Sequence, residues 1–75
     1  MINEHSLVVL LSGSPEHGLS PGDVGTVVHV HEGGRGYEVE FVDVFGETVA
    51  IATVDAADLR PLRQGERAVP HLRSA

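Results

Sequence analysis

The chain has 75 residues and a mass of 8.0 kDa, which allows one small domain with a thin core. It contains no Cys, so a disulfide framework, a thiolate-bound zinc and a cysteine nucleophile are excluded. The net charge of −6 is unevenly placed: residues 1–59 hold ten acids against Arg35 alone (−9), and residues 60–75 hold four arginines against Glu66 (+3). An acidic body repels a phosphate backbone, so nucleic acid is not the expected partner. The longest apolar run, Leu7–Leu11, falls far short of the ~20 residues of a membrane span, and no basic segment precedes it. The expected location is the cytoplasm.

Leu7–Leu11 reads as a first strand, apolar on both faces and stopped by Ser12-Gly13-Ser14-Pro15. Pro15–Asp23 is a loop punctuated by Pro and Gly, with Leu19 as its anchor into the core. Val24–His31 is the second strand. Strict alternation puts Val24, Thr26, Val28 and Val30 on its inner face and Gly25, Val27, His29 and His31 on the outer one. Glu32–Gly36 is a glycine-rich hairpin loop. Tyr37–Val42 shows the clearest alternation, with Tyr37, Val39 and Phe41 inward and Glu38 and Glu40 outward.

After a tight connection at Asp43–Gly46, Glu47–Val54 is a strand of β-branched and small residues. Asp55–Asp58 reads as a single helical turn with Asp55 at its N-cap. Leu59–Leu62 is a closing edge strand, where Pro61 is tolerated. The whole pattern predicts an all-β fold: a small five-stranded SH3-like barrel with one short helical turn before the last strand. The domain is expected over residues 1–63. Residues 64–75 lack usable periodicity and are expected to form a basic, mobile tail.

The stretch GDVGTVV at 22–28 looks like the hairpin entry of KOW-type and other SH3-like barrels. Together with PEHGL at 15–19, YEVEFVD at 37–43 and ADLRP at 57–61, it resembles a family of small bacterial proteins of unknown function. That likeness spans residues 7–62; it implies an SH3-like barrel and brings no catalytic or binding residues with it. The KOW likeness implies an RNA- or ribosome-associated module using Arg35 and the arginine tail. The chain lacks the basic and exposed aromatic residues that such domains place on RNA.

Three groups of residues bear on function. His29 and His31 share the outer face with Glu38 and Glu40, in either of two registers that pair Val30 with Val39 or with Tyr37. These four are metal candidates, since imidazole and carboxylate suit zinc or nickel. Cross-strand polar pairing is the plainer reading, because a flat strand face seldom converges four ligands, and no metal or cofactor is expected. Ser12, Ser14, Ser20, Glu16, His17 and Asp23 are ingredients of an acid–base or nucleophilic site, but they sit where turn formers belong, so no enzyme is expected. Val27, Val42, Val44 and Phe45 form the third group, an apolar cluster read as partner-binding. The resulting expectation is a small acidic protein-interaction module, antitoxin- or immunity-like in one version, that selects a basic protein or self-associates. A metal- or pH-responsive domain is the remaining alternative.

Overall fold

The computed structural model describes residues 2–66. Five antiparallel strands form one sheet: β1 (Leu7–Leu10), β2 (Val24–Val30), β3 (Gly36–Val42), β4 (Thr48–Asp55) and β5 (Leu59–Pro61). Their order across the sheet is β4-β3-β2-β1-β5. The first four strands form a meander. The fifth returns to β1, placing Arg60 opposite Val9 and Leu59 opposite Leu10. Among the described residues, the helical elements are single 3-10 turns at Pro15–His17, Glu32–Gly34 and Ala56–Asp58.

One short connection shapes the whole sheet. β4 and β5 occupy opposite edges, which in a flat sheet would lie ~19 Å apart. The three residues that join them, Ala56–Asp58, rise only ~6 Å as a 3-10 turn. The sheet must therefore curl until its edges approach at that end. It does not close, because no ladder links β4 to β5. The expected barrel is thus an open one. Its concave face holds a single buried cluster of Val8, Leu10, Val27, Tyr37, Val39, Phe41, Ala52, Val54 and Leu59, with Leu19 added from the first loop as anticipated.

Strict alternation fails in β2. Val27, expected on the outer face, is 0% exposed, whereas Val28, expected inside, is 40% exposed. The cause is a β-bulge: Val27 pairs with Val39 and Val30 with Tyr37, but the register shifts between Val27 and His29. Val28 is the extra residue, and it flips the parity of everything before it. Gly25 therefore belongs to the inner face, where a Cβ would stand 2.5 Å from Val39 Cγ1 and 2.9 Å from Phe41 Cε1. Any side chain there collides with the core, which is why the strand carries glycine at that point.

The last described residues are structured. Glu66, assigned above to the tail, grips the Arg60 guanidinium with both carboxylate oxygens at 2.8 and 2.6 Å, and accepts the Arg63 N–H at 2.8 Å. The Arg60 guanidinium, and then the Arg63 amide, hold its carboxyl down to about 2. Arg60 lies opposite Val9 on the outer side of β1, and Val9 is buried there beside Val24. The rest of the expected tail, 67–75, lies outside the described residues.

Candidate functional site

The β3–β4 hairpin tip is fixed by one carboxylate. Asp43 Oδ1 accepts the N–H groups of Phe45 at 2.9 Å and Glu47 at 3.0 Å. Backbone bonds from Asp43 N–H to Glu47 C=O (2.9 Å) and from Gly46 N–H to Asp43 C=O (3.0 Å) complete the turn, and Gly46 takes φ 79°. A side chain bonding its own turn in this way pre-sets the loop. The outcome is that Phe45 projects into solvent, 83% exposed, beside exposed Val44 and Val42. A fixed, exposed aromatic on a turn is the kind of residue that anchors protein interfaces.

The structure thus brings together three of the four apolar candidates and removes Val27, which is core. It adds Ile51, 56% exposed on the outer face opposite Glu40, and the bulged Val28. The surroundings are strongly acidic. Residues 36–59 contain Glu38, Glu40, Asp43, Glu47, Asp55 and Asp58 and not one Lys or Arg. Asp43 and Glu47 flank the small apolar projection at the tip, Glu40 and Glu38 follow along β3, and Asp55 and Asp58 lie at the far end of β4.

On the neighbouring hairpin, the observed register is the one that places His29 opposite Glu38 and Val30 opposite Tyr37. The bond to Glu38 nevertheless comes from His31, whose Nε2 lies 2.5 Å from Glu38 Oε2. His29 and His31 pack edge to face, with ring centroids 5.1 Å apart. Glu38 also accepts the Thr53 hydroxyl at 2.6 Å, and Glu40 accepts that of Thr48 at 2.7 Å. The Thr53 hydrogen bond, followed by that of His31, holds the Glu38 carboxyl below its ordinary value. Among the described residues, no three His, Asp or Glu side chains gather closely enough to hold a metal ion. Glu38 and Glu40 instead take partners from neighbouring segments, and His29 rests against the His31 ring.

A polar recess of about 260 Å³ opens between the first loop and β4. Ser12, Ser14 and His17 line one side, Thr53 and Asp55 the other, and Asp58 its end. Ser14 Oγ meets His17 Nδ1 at 2.7 Å across the Pro15–His17 turn, and the Ser12 hydroxyl donates to Asp58 Oδ1 at 3.2 Å. Asp23, read as a turn former, accepts the Ser20 N–H at 2.9 Å. Asp55 sits at the N-cap of the last 3-10 turn without a side-chain capping bond.

Comparison with known families places the chain. A family model described as a domain of unknown function (DUF4926) matches residues 4–61, which is most of the chain. The protein belongs to DUF4926. The DUF4926 match begins just before β1 and ends with the last residue of β5, so it takes in all five strands and both hairpin tips. No curated protein and no solved structure matches the chain.

Proposed function

We propose that this DUF4926 chain is a protein-interaction module that docks a basic partner protein through the β3–β4 hairpin. The observation that carries the reading is Phe45, 83% exposed on a turn that Asp43 holds rigid, within a hairpin of uniform negative charge. An exposed aromatic ordinarily costs solubility, and a pre-set turn reduces the entropy lost on docking. The acidic rim favours a basic partner and speeds its approach. In the antitoxin- or immunity-like version the partner is a toxin, and co-expression of this chain restores growth.

The test is a pull-down with the full chain, wild type against Phe45→Ser. A basic protein retained by wild type, released by salt and lost with Phe45→Ser supports the module. Retention of nucleic acid instead, with affinity falling steeply as salt rises, would shift the assignment to the KOW-like reading.

A further inference from the structure

We infer that the free edge of β4 is a strand-addition site for an extended, basic segment of the partner. The inference deepens the interaction reading and rests on it. Backbone geometry supplies the first argument. The Arg35 carbonyl accepts the Ala56 N–H at 3.0 Å, and the register runs unbroken from Gly36–Asp55 to Phe41–Ala50. An antiparallel ladder alternates, so the N–H and C=O groups of Ala50, Ala52 and Val54 face β3. Those of Ile51, Thr53 and Asp55 face away from it, and among the described residues β4 pairs with β3 alone.

From Ala50 to Asp55 little blunts this edge, since the one bulge of the strand lies before it, at Val49. Thr48–Asp55 contains no Pro, Lys or Arg, the residues that commonly discourage pairing. The opposite edge differs on each count: β5 has only three residues, one of them is Pro61, and Arg60 is held in an ion pair with Glu66. The first loop also stands off this edge, leaving the 260 Å³ recess along Ala52–Asp55. A strand added there lies between β4 and the Ser12–His17 loop.

Charge selects the occupant. A second copy would oppose two hairpins that each carry five acids and no base, with Asp58 just beyond β4 adding a sixth. An incoming basic strand meets Asp55 and Asp58 at one end and Glu47 at the other. Its outward side chains stand beside Ile51, Thr53 and Asp55, and a Lys or Arg stem reaches on to Glu38 and Glu40. Its inward side chains meet Ala52 and Val54, which favours apolar residues at alternate positions.

The experiment titrates the isotope-labelled full chain with an end-blocked peptide of about eight alternating Lys and Val residues, using a Glu–Val peptide as control. The expected result is slowed amide exchange at Ile51, Thr53 and Asp55, with affinity that falls as salt rises. Ile51→Pro removes one outward N–H without breaking the β3 ladder and should weaken binding about tenfold or more. Should that variant fail to fold, Asp55→Asn with Asp58→Asn reads the charge component and should weaken the Lys–Val peptide alone. Perturbation confined to Val44 and Phe45 overturns the edge site and leaves the interaction reading standing. Equal binding of both peptides, binding of neither, or pairing of β4 with a second copy overturns strand addition. Failure of the interaction reading itself is registered separately, by the Phe45→Ser pull-down.

Discussion

In the β2–β3 hairpin the departures from regularity turn inward. Gly25 omits a side chain where Val39 and Phe41 pack, and the bulge at Val28 returns Val30 to the core side. In the β3–β4 hairpin they turn outward: the register slips between Phe41 and Val42, Asp43 ties the turn, and Phe45 is left in solvent. Both hairpins share β3, whose inner residues Tyr37, Val39 and Phe41 are all buried. One irregular hairpin serves the fold and the other serves the surface. The contrast assigns each substitution to stability or to the proposed docking surface before it is made.

The largest effect belongs to the shared strand. Phe41→Ala empties a fully buried site and should cost ~3–5 kcal/mol, against a total stability on the order of 3–10 kcal/mol for a domain this small. A thermal melt close to wild type would break the packing argument. On the inward hairpin, Gly25→Ala should cost ~1–3 kcal/mol through overpacking against Val39 and Phe41. If chemical denaturation shows Gly25→Ala to be neutral, β2 does not lie on the core as described.

On the outward hairpin, Asp43→Ala removes two bonds to backbone amides and should cost about 1 kcal/mol. The amides of Phe45 and Glu47 should then exchange faster while those of β3 do not; uniform loss of protection would refute a local role. Smaller still is the Glu38 contribution. Its carboxyl is depressed when folded, by the Thr53 hydroxyl and then by His31, so the folded state binds its proton less readily than the unfolded state. Its contribution is therefore full above the ordinary glutamate range and is lost as pH falls through the depressed value. A stability gap between wild type and Glu38→Gln that widens on acidification would contradict that sign. Phe45→Ser should be nearly silent in stability, within about 0.5 kcal/mol, because the side chain touches little. A clear drop in melting temperature would mean that Phe45 packs on the fold, against the exposure described above.

The same contrast explains what the amino-acid pattern reveals. β3 reads correctly residue by residue because Glu38 and Glu40 mark the outer parity between apolar neighbours. β2 offers no such marker: Val27 and Val28 are adjacent and chemically identical, so a bulge that exchanges their faces leaves no trace in hydropathy. The available signal was Gly25, a residue without a side chain in a strand facing bulky partners. β4 conceals Ile51 for a related reason, since Val49–Ala52 is apolar at every position. Phe45 was legible because a large aromatic beside Asp43 and Gly46 has few places to go except outward. The Arg60–Glu66 pair was not, because it depends on a fold-back that follows no strand or helix period.

The return of β5 to β1 has a topological consequence. The Leu62 N–H donates to the Leu7 carbonyl at 3.1 Å, so the two ends of the sheet body are hydrogen-bonded neighbours. A short linker across that junction would make the backbone circular without crossing any strand. The ring then tolerates new termini at an exposed turn whose opening breaks no pairing, as circular permutation requires. The Val44–Phe45 turn is such a place for the architecture, yet cutting there would free the aromatic from its carboxylate-tied frame. A permutant opened at that turn keeps every strand neighbour and loses only the presentation of Phe45.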